Sequence, residues 1–384
     1  MSIDYQRLLQ GRYEAERLPR DFSAERFVPD FAFNILNKAG LLYRPVVDEQ
    51  YLEKGRIPHW PEGKPFAVCL TYDVDRVTEK DLGQAVRTRR LQYSTAGSMK
   101  DKAKEILKLG IDLADHVLCC GRPDSLWCLE RFLEVEEQLS ARSTLFFWPG
   151  LSAVGKRHYT DCVYELSDSV VFDHQRCTVA EMVQEIHRRG WEIGLHPSWY
   201  SFDNTDELKR QKEVLETALG HEILSVRQHY LHYDIRRTPS VQAAAGFVFD
   251  STLGFNDNVG FRFGSCYPWH LYDIEAQQEL PIMEIPLIIQ DGAMLSPFKG
   301  MRLDEDAAFE YVVLLTERVK YVGGVLTILW HPHLILLEDY WEFYWKTLNY
   351  LSEQDAWMTS IREVGQGWMN KENSDTRITD SDVR

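Results

Sequence analysis

Apolar residues in this chain gather in short runs that end on polar ones, and between several of these runs they recur at helical spacing. Strand-like runs fall at 66–75, 143–148, 191–196, 225–230, 247–251, 282–289 and 325–331. The sequence Thr178-Val179-Ala180-Glu181 has the form of a capping box and opens a helix that closes at Gly190. A periodic run at 206–219 stops at Gly220, a short one at 239–245 stops at Gly246, and one at 305–322 is closed by Gly323 and Gly324. Alternation of strand and helix on this scale predicts an α/β fold, with a parallel sheet closed as a barrel.

The ends and one internal stretch break this rhythm. Residues 1–63 read as a lead-in of two or three short helices, and the segment from Arg56 to Pro65 reads as the loop before the first barrel strand. The barrel then occupies 64–370. Within it, 76–124 is basic early and amphipathic over 102–118, which predicts a helical insertion that packs or mediates association rather than covering a site. From Lys371 onward the chain is polar without apolar periodicity, so 371–384 is expected as a flexible tail.

Chemistry-bearing residues fall at the carboxyl ends of the predicted strands. Thr71, Asp73 and Asp75 are two apart, so on a strand they share a face. Two carboxylates side by side repel, and such a pair is held by a cation or keeps one member protonated. Alternatively, Asp75 caps the following turn or pairs with Arg76. Further along, His196, Arg227, His229, Asp250, His331 and His333 sit at or just past strand ends. A single histidine there is more often a hydrogen-bonded structural residue. Five such positions at the end where barrel loops converge point instead to one site.

The order of these motifs resembles the polysaccharide deacetylase (NodB-homology) family. Thr71-Tyr72-Asp73-Val74-Asp75 looks like its Asp-x-Asp first motif, and Phe146-Phe147-Trp148-Pro149-Gly150 looks like its second-strand motif. His196-Pro197-Ser198-Trp199-Tyr200 keeps the first histidine of the second motif but has Tyr200 in place of the second. Arg227-Gln228-His229-Tyr230 is similar to the third motif, Asp250 to the fourth and Leu329-Trp330-His331 to the fifth.

The resemblance spans roughly residues 64–360 and implies a distorted (β/α) barrel of about seven parallel strands with a divalent metal ion, most readily zinc. It implies Asp73 as general base, Asp75 and His196 as metal ligands, Arg227 holding Asp73, and His331 as general acid with Asp250 behind it. The third ligand must come from elsewhere. His229 is the candidate because it stands in a motif that already lines the site, ahead of His232, His270 and His333. Tyr200, Tyr230 and Trp199 beside the motifs, and Arg262 in a glycine-punctuated aromatic segment, are expected to bind substrate.

Composition narrows the partners. The chain has 384 residues, 44% hydrophobic and 27% charged, ordinary for a globular protein. A net charge of −16 without a large basic cluster argues against nucleic acid and favours a neutral or weakly charged substrate. No run approaches the roughly 20 apolar residues of a membrane span. The start has no basic segment followed by an apolar stretch, so no signal peptide is expected. Seven scattered cysteines without a CxxC pair, two of them adjacent at Cys119-Cys120, suit free thiols in a cytoplasm.

The function these features imply is a metal-dependent hydrolase that removes acetyl from an N-acetylated or O-acetylated sugar or glycan intermediate, a small-molecule or oligosaccharide substrate. Two alternatives stand beside it: hydrolysis of another non-peptide C–N amide bond, and a catalytically silent carbohydrate-binding barrel.

Overall fold

The computed structural model describes residues 3–18, 30–54, 58–78, 82–118, 129–338 and 340–381. Its strands are β1 (Ala67–Val74), β2 (Thr144–Phe147), β3 (Ser169–Phe172), β4 (Gln175–Thr178), β5 (Glu192–Leu195), β6 (Ser225–Val226), β7 (Phe249–Asp250), β8 (Trp269–Asp273), β9 (Gln278–Glu284), β10 (Leu287–Gln290), β11 (Val325–Trp330) and β12 (Trp357–Thr359). All but β3 and β4 join one sheet in the order β10-β11-β1-β2-β5-β6-β7-β9-β8, with β12 beside β1. Every pairing in it is parallel except β8 with β9. The sheet curls into a half-barrel flanked by helices.

Strand β1 is buried along its whole length, and its two faces part company. Val68, Leu70, Tyr72 and Val74 pack into the large core beneath the helices. Ala67 and Cys69 point into the barrel with Phe146, Phe249, Met283 and Val325. Thr71 and Asp73 continue that inward face toward the carboxyl end, so the strand period itself delivers Asp73 to the mouth. The opposite end of the barrel is closed by the helix Ile361–Ser381, whose Ile361 and Val364 join the inner cluster. Its first N–H groups are received by Thr144 Oγ1 and Glu192 Oε2, both at 2.9 Å. That satisfies donors a helix start leaves open.

Several expectations shift. The run 282–289 is two strands rather than one, interrupted at Pro286, which has no N–H to give a ladder. Runs 225–230 and 247–251 pair over only two residues each. After β6 the chain turns sharply, with Tyr230 and Leu231 at φ +57° and +50°. The β3–β4 hairpin, the antiparallel β8 and β12 carry no expectation from the sequence.

The expected insertion is helical over Leu82–Thr95 and Met99–Leu118, and its positions 79–81 and 119–124 lie outside the described residues, as does the Cys119-Cys120 pair. Helical backbone continues through 371–381, where a flexible tail was expected. Positions 382–384 of that tail, like Arg56 of the expected loop and 19–29 of the lead-in, are outside the described residues. No described helix is long and apolar enough to cross a membrane.

Candidate metal centre and active site

The mouth of the half-barrel holds a cavity of about 170 Å³. Asp73 and Asp75 reach it from the end of β1, His196 from β5, His229 and Tyr230 from the turn after β6, and His331 from β11. The sequence-predicted residues therefore meet, with four exceptions given below.

Backbone carbonyls fix the two histidines. His196 Nδ1 lies 2.8 Å from Arg227 O, and His229 Nε2 lies 2.8 Å from Thr160 O. A carbonyl only accepts, so each of these nitrogens donates, and in the neutral rings the other nitrogen carries a lone pair. Those two lone pairs, His196 Nε2 and His229 Nδ1, face one another at 2.9 Å. Asp75 Oδ1 stands 3.4 Å from the first and 3.8 Å from the second. Three acceptors converging in this way repel one another until a proton on one ring or a metal ion lies among them. Their separations suit the edges of a coordination shell with bonds of about 2.1 Å. Asp75, His196 and His229, with ligand atoms all within 4.8 Å of one another, thus form a cluster fit to hold a metal ion.

The electrostatics express the same demand. Burial would raise the Asp75 carboxyl, but hydrogen bonding from His196 and the charges of His229, His331 and His196 hold it well below its ordinary value. Burial opposes a charge on His196, yet Asp73 and Asp75 raise its pKa. Burial and the neighbouring His196 push His229 down to about 4.

Asp73 stays outside the ligand set. Its Oδ2 is 3.8 Å from His196 Nε2, and its Oδ1 is 3.3 Å from Arg227 Nη1. The Arg227 guanidinium is fully buried and pinned on three sides: Nη1 donates to Thr71 Oγ1 at 2.6 Å, Nε to Ser251 O at 2.7 Å and Nη2 to Ser251 Oγ at 2.8 Å. Such a fork cannot swing, so it fixes the carboxylate it faces.

On the other side, Asp291 Oδ1 accepts from His331 Nδ1 and its Oδ2 from the His331 backbone N–H, both at 2.6 Å. Burial disfavours the charged ring, but the charge and hydrogen bond of Asp291 outweigh it and raise His331 to about 9. The imidazolium form therefore persists at neutral pH, with Nε2 as the ring nitrogen left to the cavity.

Four expected residues do other things. Asp250 does not reach His331. It is fully buried, accepts from Thr252 Oγ1, and lies against Glu284, the two carboxyls both raised by burial so that the pair retains a proton. The carboxylate that does reach His331 is Asp291. Trp199 is buried inside a three-ring stack, 4.3 Å from the ring centre of His158 and 3.9 Å from that of His232, and offers no face to a ligand. Tyr200 lies under the Lys156 ammonium at 3.9 Å and does not line the cavity. Arg262 is 3% exposed; its Nε donates to Glu14 Oε2 at 3.0 Å and its Nη1 to Gly254 O at 2.7 Å. The lead-in supplies the counter-charge that its burial needs.

Tyr230 does line the cavity, as does His333, whereas His270 sits on β8 with Nδ1 3.1 Å from Leu280 O. Residues not foreseen include Asp291, Asn256, Gln290, Lys299 and Cys162, whose Sγ is 3.6 Å from Asp75 Oδ1. Asp291 had a readable signal, since it directly follows the carboxyl end of β10.

The architecture is thus a curled parallel sheet with an Asp-His-His cluster at its mouth. No protein-family model and no curated protein matches the chain. Among solved structures, one from Mycobacterium smegmatis assigned as a polysaccharide deacetylase superposes with a TM-score of 0.54 at 19% identity, covering 82% of this chain and 94% of that one. A structure from Pseudomonas aeruginosa PAO1 assigned to the same activity gives 0.47 at 15% identity, covering 82% and 94%. An allantoinase gives 0.49 at 15% identity, covering 83% and 95%. The fold is that of the polysaccharide deacetylase (NodB-homology) barrel, as the motif order implies.

Proposed function

We propose that this protein is a metal-dependent hydrolase that removes an acetyl group from an N-acetylated or O-acetylated sugar or glycan intermediate. The observation that carries the proposal is the pairing of an unligated, arginine-held Asp73 and an aspartate-held, protonated His331 about a three-ligand cluster. A binding barrel needs neither a base nor an acid, which weighs against the silent alternative. The small cavity favours a compact substrate over a polymer. Free Cys69, Cys162, Cys177 and Cys266 fit a reducing cytoplasm.

Asp75, His196 and His229 would hold a divalent ion, zinc being well suited to such donors, and it would supply Lewis-acid polarisation of the acyl carbonyl and an acidified water. Asp73 takes the proton from the attacking water. Arg227 aims Asp73, at no cost in reorganisation because it is already pinned. As the family resemblance implies, a backbone N–H near Tyr230 would receive the developing oxyanion. His331 Nε2 gives its proton to the departing amine, and Asp291 fixes the tautomer and steadies the charge.

The test is acetate release from N-acetylated sugars by Asp73→Asn beside the unaltered protein, with metal content measured on both. Loss of a general base lowers kcat by about 10²–10⁴ while metal content and melting temperature hold. Unchanged turnover, or loss of the metal together with activity, refutes the assignment of Asp73.

A further inference from the structure

The turn after the short helix Asp291–Leu295 carries an ammonium to the mouth of the cavity, and the chemistry above does not use it. We propose that Lys299 makes this site selective for N-acylated, hydroxylated substrates bearing an anionic group, a carboxylate or phosphate, beyond the scissile amide. The inference rests on the deacetylase reading.

The turn is anchored rather than loose. Gly300 has φ +75°, and a Cβ there would fall 2.3 Å from Ala293 O, so only glycine allows this approach. Met301 N donates to Ala293 O and Leu303 N to Met294 O, both at 2.8 Å, locking the turn's exit onto the helix that carries Asp291. The position of Lys299 is thereby tied to the site.

Its ammonium rests 4.8 Å from the ring centre of Tyr230, itself 40% exposed at the cavity. Among the described residues no carboxylate pairs with it. An aromatic face steadies a cation without consuming its N–H donors, so all remain for an incoming anion. The neighbouring amides show the complementary polarity. Asn256 Nδ2 donates to Tyr230 O at 2.7 Å and Gln290 Nε2 donates to Phe255 O, which orients both amides and leaves each side-chain oxygen as an acceptor. One cation and two fixed acceptors match a ligand with a negative group and hydroxyl or N–H donors. Asp75, Asp291 and Asp257 attract this ammonium from beyond pairing distance, and a neutral acetamide would add no closer partner.

The experiment compares kcat/KM of the metal-loaded enzyme for N-acetylglucosamine, its 1-phosphate and N-acetylmuramic acid, with Lys299→Met and Lys299→Arg beside the unaltered protein. The expected result is a preference of at least about tenfold for an anionic substrate, collapsing toward one in Lys299→Met through a raised KM and largely kept in Lys299→Arg. Which of the two anionic substrates leads tells phosphate from carboxylate. No preference, or one that survives Lys299→Met, overturns the proposal. If none releases acetate, the deacetylase reading falls by itself, and calorimetric binding of the same compounds decides this one. Anion-dependent binding lost in Lys299→Met upholds it, and binding indifferent to either charge overturns it.

Discussion

His331 is held by one aspartate at two points, its ring and its backbone, and this double grip raises its pKa to about 9 from an ordinary 6.5. Because the folded value lies above the unfolded one, the pair stabilises the fold fully below about pH 6.5 and loses that contribution as pH rises through 9. Asp291→Asn should therefore lower stability by on the order of 2 kcal/mol near pH 6 and by progressively less toward pH 9.5, which melting curves across that range would read. The basic limb of the rate profile should move down with it. Equal destabilisation at both ends of the range would show that Asp291 acts through packing alone.

At this scale the sequence singled out Asp73, Asp75, His196, Arg227, His229 and His331, which the fold does bring together, because each lies at or just past the end of a strand. It missed Glu284 because 282–289 read as a single strand, and only the division at Pro286 puts that acid at a strand end. Asp291 was overlooked although it lies just past the end of the run in either reading. Lys299 follows no strand at all, and only the folded turn places it.

Among the elements, β2 and β5 show how a strand sets up chemistry one layer away. Gly194 lies against the ring of Phe146, and a Cβ there would sit 2.4 Å from it. The absent side chain lets that ring lie flat beneath the Arg227 guanidinium, 4.5 Å from its carbon. Gly194→Ala should cost about 1–3 kcal/mol by overpacking. It should also lower kcat more than it raises KM, since the displaced arginine aims Asp73 rather than binding substrate. A variant that loses stability but keeps kcat would separate the ring from the arginine.

Elements with strong periodicity, such as the capped helix Val179–Arg188, were legible in outline. The two-residue strands β6 and β7 were overestimated, because apolar runs continue past the point where the backbone leaves the sheet.

For the whole molecule, net charge and local field give separate arguments. A net charge of −16 argues for a neutral or weakly charged substrate, whereas charges farther apart than a screening length of about 8 Å hardly sense one another, so under the Lys299 proposal the cation at the mouth would decide the preference. The lead-in is likewise no appendage. Leu8, Leu36, Leu42 and Val46 pack with Phe255, while Asp48 accepts from Ser265 Oγ at 2.6 Å, so the described residues of the lead-in brace the segment that follows β7.

With one end capped by the helix that starts at Ile361, the half-barrel resembles a vessel filled and emptied at its cavity mouth. Under the deacetylase reading, if the acetyl group seats deeper than the sugar, the larger fragment leaves before the acetate. Departure in that sequence makes acetate compete with fresh substrate, whereas the freed amine inhibits in a mixed manner. Product-inhibition kinetics would reveal the order, and the reverse pattern would mean that the vessel leaks elsewhere.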